Sequence, residues 1–264
     1  MNGIFLQLQQ TAFVALAYFL LGISQLAYGA RFPDVVAKVK PSIVGVGTYD
    51  AMASPAAQLI ATGFVVHDGY HVVTNAHAIP EIYSAKYQGK RKLVIFVGQG
   101  RRPELREARV LQKDAAHDLV LLRIKGARLP ALALGQAKLA REGEAIAFTG
   151  YPIGAVLGLY PVTHQGIISS VTPIVIPAAN ARQLDIQHIK RLRHPYNVLQ
   201  LDATAYPGNS GSPVYLRQSG EVVGVINKVF VKETKESVLQ KPSGITYAIP
   251  VNHVKDLIKK LTEN

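Results

Sequence analysis

The sequence contains no cysteine and no tryptophan, and only two methionines in 264 residues. Without cysteine there are no disulfides, no thiolate metal ligands and no cysteine nucleophile. Acid is scarce as well: 17 Asp and Glu stand against 29 Lys and Arg, a formal net charge of +12. Such a balance draws a protein toward anionic surfaces and says nothing about its fold. The basic residues gather at Lys90-Arg91-Lys92, at Arg101-Arg102 with Arg106, and at Lys190-Arg191 with Arg193. None of these runs is interleaved with the aromatics on which single-strand binders stack bases. The runs read as solvated loop charge, with an anionic surface met by the basic loops as the alternative and no specific nucleic acid. No His-Glu-x-x-His or related spacing occurs, so no metal site is expected.

Charged side chains are also missing from residues 1–30, and Thr11 to Ile23 is nearly all apolar. The run ends in Ala27-Tyr28-Gly29-Ala30, small residues at the spacing a signal peptidase needs. Residues 1–29 read as a signal peptide or an N-terminal anchor, and the protein as exported to the periplasm or beyond. The leader itself lacks Lys and Arg, whereas Arg31, Lys38 and Lys40 follow the apolar run. That pattern keeps a retained anchor and a buried N-terminal helix open beside cleavage. With 48% hydrophobic and 17% charged residues, the sequence has the composition of a folded protein, and residues 30–264 suffice for a sizeable core.

Sustained helical periodicity is absent too. Short β-branched stretches recur instead: Ile43–Val46, Gly63–Val66, Leu93–Val97, Leu119–Ile124 and Ala145–Thr149, then Gly166–Val171, Val198–Leu201, Pro213–Leu216, Val222–Ile226 and Ile245–Ile249. Regular short strands point to an all-β sandwich or barrel, here in two halves, approximately 30–135 and 136–264. Asp68-Gly69 between two apolar runs marks a hairpin, with His67 and His71 as solvated residues beside its turn. Only the C-terminus reads clearly as helix. Val254, Leu257, Ile258 and Leu261 share one face, Asn252 is the N-cap, and the face should pack on the second half. Residues 173–195 lack alternation and read as a long basic surface loop.

A serine hydroxyl attacks a carbonyl only when a base takes its proton, and the base works best when a carboxylate fixes its tautomer. The developing oxyanion needs backbone N–H groups aimed at it. Gly208-Asn209-Ser210-Gly211-Ser212-Pro213 supplies a serine in a glycine-flanked turn before a strand. Val72-Val73-Thr74-Asn75-Ala76-His77 ends a strand on a histidine, and Asp118-Leu119-Val120-Leu121-Leu122 opens one on an aspartate. Asp114 is the nearby competitor, set aside because it lies in a loop and reads as solvated.

Together these segments resemble the three signatures of chymotrypsin-like serine proteases, in His, Asp, Ser order. Phe32-Pro33-Asp34-Val35-Val36 and Tyr247-Ala248-Ile249-Pro250 resemble the opening and closing segments of the HtrA/Deg-like branch, here without a PDZ module. The resemblance implies two six-stranded antiparallel barrels with a C-terminal helix and a site in the cleft between them. It implies His77, Asp118 and Ser210 as catalytic residues and an oxyanion hole at Gly208, Asn209 and Ser210. Gly208 and Ser210 would be the donors there, and Asn209 would shape the turn. Asn227 and Val229 would line the substrate pocket. Where glutamyl endopeptidases carry a histidine this chain has Ile226, which argues against an acidic preference. His164 would either approach the oxyanion region or cap a turn. The implied activity is serine endopeptidase cleavage of polypeptides without a cofactor, in a homo-oligomer, with protein quality control as its setting. The alternative is a protease-fold binding or chaperone-like module that cuts little.

Overall fold

The computed structural model describes residues 31–79, 91–100, 102–152, 158–173, 196–227 and 244–261. Val229, the leader 1–29 and nearly all of the expected basic loop lie outside the described residues.

Two closed barrels of six antiparallel strands make up the chain. The first holds β1 (Ile43–Tyr49), β2 (Ala57–Val66), β3 (His71–Asn75), β4 (Lys92–Val97), β5 (Glu104–Asp114) and β6 (Leu119–Ile124), in the order β1-β2-β3-β6-β5-β4. The second repeats that order with β7 (Ala145–Gly150), β8 (Val162–Pro173), β9 (Asn197–Asp202), β10 (Pro213–Leu216), β11 (Val222–Asn227) and β12 (Ile245–Pro250). Closure removes the open edges that would otherwise template aggregation.

Strands such as β10 and β11 bury both faces, which is why they read as continuous apolar runs and not as alternation. Val44, Val46, Val65, Val72, Leu122 and Ile124 fill the first barrel. Ile146, Phe148, Leu199, Leu201, Val214 and Ile226 fill the second. Phe64, Val66, Leu119 and Leu121 point the other way and meet Tyr151, Tyr215 and Val225 in a third cluster joining the barrels. Each such side chain contributes about 1.5–3 kcal/mol on full burial.

Two short helices lock the halves together. Helix α1 (Phe32–Val39) precedes the first barrel yet packs on the second: Val35 and Val39 lie beside Gly220, and Arg217 sits 5.0 Å over the Phe32 ring. It was not expected as a helix, since its paired valines favour strand; Pro33 in the first turn and Val35 and Val39 on one buried face settle it as helix. Helix α2 (Val251–Lys259) packs on β11 and β12 of the second barrel, as expected, and on β5 and β6 of the first as well. Its N-cap is Pro250 and not Asn252, which falls within the first turn. The connecting segment is held by both barrels, through Leu132 N–H to Val65 O at 2.9 Å and Gly135 N–H to Val222 O at 2.8 Å.

The β2–β3 hairpin forms as expected, with Val66 opposite His71. His71 itself is buried, however, its Nδ1 2.6 Å from Asp68 Oδ1, so it is not a solvated turn residue. Strand β5, rich in Glu, Arg and Gln, was not anticipated at all.

Candidate active site

The site begins where β3 runs out. A single 3₁₀ turn, Ala76–Ala78, follows Asn75 and turns His77 out of the barrel wall. Asp118 stands just before β6 with φ of 53° and sends its carboxylate back to the same turn. Its Oδ1 accepts the His77 backbone N–H at 2.9 Å, and its Oδ2 lies 2.6 Å from His77 Nδ1. Ala76 N–H also donates to Asp118 O at 2.9 Å, so backbone and side chain fix each other. The carboxylate side chain is 10% exposed and the imidazole 35%. One ring edge is thus held by a desolvated carboxylate while the other remains reachable. A carboxylate accepts only, so Nδ1 carries the proton and Nε2 is left as the acceptor.

A third group completes this carboxylate. Asn227 Nδ2 donates to Asp118 Oδ2 at 2.9 Å, from the end of β11 in the other barrel. Asn227 is fully buried, so its side chain holds the carboxylate where a pocket-lining role was expected. Ile226 beside it faces the second-barrel core.

Ser210 lies in the turn between β9 and β10, and one buried residue of the first barrel ties that turn to the histidine strand. Thr62 N–H donates to Ser210 O at 3.0 Å, and Thr62 Oγ1 donates to Gly208 O at 2.7 Å. Thr62 O in turn accepts Thr74 Oγ1 at 2.7 Å, three residues before His77. Gly211, at φ of 84°, comes so close that a Cβ there would stand 2.1 Å from Thr62 O and 2.4 Å from Thr74 Oγ1. Only glycine permits that approach.

Gly208 has φ of 97°. Neither its N–H nor that of Ser210 has a partner among the described residues. The Asn209 N–H, by contrast, donates to Tyr206 O at 3.0 Å. The Gly208 and Ser210 N–H groups are therefore left without a partner among the described residues, whereas that of Asn209, fully buried, is engaged within the turn. No hydrogen bond joins Ser210 Oγ to the imidazole among the described contacts; such bonds commonly tighten only when substrate binds.

Thr62 carried no signal in the sequence. Replacing it with Val leaves Gly208 O without its hydroxyl donor and Tyr151 N–H without the acceptor it finds at 3.0 Å. The expected loss is about 1–3 kcal/mol per orphaned group, read as a lower Tm, with Thr62→Ser restoring it.

Asp114 is not solvated. Its carboxylate accepts His117 N–H at 3.1 Å and lies 2.7 Å from His117 Nδ1, a second aspartate–histidine pair just before the first. Burial alone would raise the Asp114 pKa, but the side-chain and backbone hydrogen bonds from His117 outweigh it and hold the carboxyl below its usual range. The His117 ring stacks on His253 of α2 at 3.7 Å, and Tyr196 meets both rings edge-on. Burial, then the neighbouring His117, pushes His253 down to about 4, against weaker opposite pulls from Asp114 and Asp256. A histidine with a depressed folded pKa leaves the unfolded chain to take up the proton first. Its contribution is complete above about 6.5 and is lost as pH falls toward 4. Tm is expected to drop between pH 7 and 5, and to drop less in His253→Phe, which cannot titrate. His164 lies in β8, stacked on Phe148 at 4.8 Å and tilted against Tyr206 at 5.9 Å. Burial lowers its pKa.

A sequence model of the trypsin-like peptidase domain matches residues 61–225, well over half of the chain. The chain belongs to that family. As a trypsin-like peptidase domain it is similar to the serine protease Do-like HtrB of Bacillus subtilis, 28% identical over 250 residues, which cover 89% of this chain and 48% of that protein. It is also similar to a probable periplasmic serine endoprotease, DegP-like, of Halomonas elongata, 27% identical over 202 residues, 76% of this chain and 35% of the relative. The chain thus spans about half or less of the length of these relatives. Among solved structures, the HtrA-type protease AlgW with tripeptide superposes with a TM-score of 0.61 at 22% identity, over 87% of this chain and 63% of that one. That likeness shows the two-barrel fold.

Proposed function

We propose that this trypsin-like peptidase domain is a serine endopeptidase in which Ser210 attacks the scissile carbonyl. His77 takes the Ser210 proton at Nε2 and then gives it to the leaving amine. Asp118 holds the imidazole tautomer and stabilises the imidazolium, positioned in turn by Asn227. The N–H groups of Gly208 and Ser210 receive the oxyanion, and water releases the acyl-enzyme by the same proton route. The observation that carries this reading is the 2.6 Å contact from His77 Nδ1 to a desolvated Asp118 carboxylate, with the Ser210 turn bound to the same strands through Thr62. The substrate is polypeptide, in keeping with the protease names of the relatives.

Casein digestion by the purified chain tests it. Cleavage that disappears in His77→Ala is expected. Equal cleavage by both proteins contradicts the reading. Casein held without cleavage under every condition favours the binding-module alternative, for which the unformed Ser210–His77 hydrogen bond is the supporting observation.

Export through the leader is part of the same reading, supported by the charge-free residues 1–30 and by the word periplasmic in the name of one relative. Among the described residues no helix is long and apolar enough to cross a membrane. Sequencing the exported protein should give Ala30 or Arg31 as its first residue if the leader is cleaved, and Met1 if it is retained as an anchor. A homo-oligomer is the accompanying expectation, read by light scattering.

A further inference from the structure

Arg109 on β5 and Arg123 on β6 stand directly opposite each other, and both are exposed. Like charges facing across an antiparallel pair repel and destabilise it. Neither guanidinium has a carboxylate partner among the described residues; Arg123 lies 5.8 Å over the ring of Tyr70, which offers it no negative charge. The nearest acid on this face, Glu107, is already shared by Lys92 at 3.2 Å and Lys125 at 2.5 Å. These side chains line a concavity of about 400 Å³, to which Arg91, Lys92, Arg109, Arg123 and Lys125 bring positive charge and Glu107 alone brings negative. Arg91 already meets Asp50 at 3.5 Å, so Arg109 and Arg123 are left facing each other without a carboxylate among the described residues, and that repulsion calls for an anion from outside.

The chemistry of that anion follows from the donors. A carboxylate offers two oxygens and is satisfied by one guanidinium fork. A phosphate presents terminal oxygens on a tetrahedral centre, three in a monoester with up to two charges and two in a diester with one, and their several lone pairs suit two forks side by side. We propose that this concavity binds a phosphate-ester oxyanion between Arg109 and Arg123. The site is separate from the proposed peptidase centre and independent of it. Arg123 lies five residues along β6 from Asp118, about 17 Å at strand rise. Two sources carry the same group, a soluble phosphate compound and the phosphate of an anionic lipid headgroup.

The test uses the full chain with inorganic pyrophosphate by calorimetry, and with phosphatidylglycerol against phosphatidylcholine vesicles by cosedimentation, at low ionic strength. Saturable binding is expected, weakened at least tenfold in R109Q/R123Q. The same loss of charge in K113Q/K138Q, both exposed and outside the concavity, should change it by less than twofold. Binding of pyrophosphate identifies a soluble ligand, and binding of phosphatidylglycerol vesicles alone a headgroup. Because the variant removes repulsion, its own Tm should be no lower than wild type, and pyrophosphate should raise Tm in wild type only. Failure of both probes to bind saturably, or an equal loss in K113Q/K138Q, overturns the proposal.

Discussion

Asp118→Asn is expected to lower kcat by about 10⁴-fold while the barrels stay folded. Three N–H groups converge on this carboxylate: the His77 backbone, His77 Nδ1 and Asn227 Nδ2. A carboxylate serves all three with two acceptor oxygens, whereas an amide has only one. If the new NH₂ takes the Oδ2 position, it opposes Asn227 Nδ2 and forces His77 to accept at Nδ1. The ring proton then sits on Nε2, where it cannot receive the Ser210 proton. If the NH₂ takes the Oδ1 position, it meets the His77 N–H head-on and pushes the ring aside. Either arrangement leaves a buried donor unmet, at about 1–3 kcal/mol, so a modest fall in Tm should accompany the fall in kcat. Peptide-hydrolysis kinetics with a parallel melt separate the two effects. A rate near wild type would remove Asp118 from the mechanism.

Ser210→Ala is expected to cost more, about 10⁶-fold in kcat, with almost no change in stability. The Ser210 hydroxyl makes no hydrogen bond among the described residues, and Ser210 helps to hold this turn through its backbone carbonyl on Thr62 N–H. Alanine keeps that carbonyl, so the melt should move by no more than about 0.5 kcal/mol. Casein binding should survive, because the oxyanion donors and the cleft keep their backbone. A variant that unfolds, or one that still cleaves at the wild-type rate, contradicts the assignment of Ser210.

Much of this architecture was legible because many of the barrel strands are apolar on both faces. Leu119–Leu122 within β6 and Pro213–Leu216 announce themselves as hydrophobic runs beside turn residues. Strand β5 does not. Glu104–Asp114 is built from Glu, Leu, Arg, Ala and Gln, which favour helix, and most of its side chains are exposed or half-buried. Ladder bonds to β4 and β6 on either side, needed to close the barrel, override that preference. Helix α1 escaped for the opposite reason, with strand-forming valines drawn into a helix by burial against the second barrel.

The candidate site divides in the same way. His77 and Asp118 were readable because each adjoins its own strand end, and the pairing of β3 with β6 carries the two ends together. Thr62 and the true contact of Asn227 were not, since each acts across more than 100 residues, on Gly208 and on Asp118. A threonine inside a buried strand looks the same whether it fills space or holds a nucleophile turn. The charge told a similar story. The runs of Lys and Arg drew attention in the sequence, yet Arg109 and Arg123, on different strands and outside those runs, meet only in the sheet.

The central claim is that Ser210 becomes a nucleophile through His77, and covalent capture tests it most directly. A serine-directed fluorophosphonate, followed by mass spectrometry of the digested protein, should place a single adduct on the peptide containing Ser210. Labelling should vanish in His77→Ala. An adduct on another serine, or labelling that proceeds unchanged without the imidazole, would contradict the account.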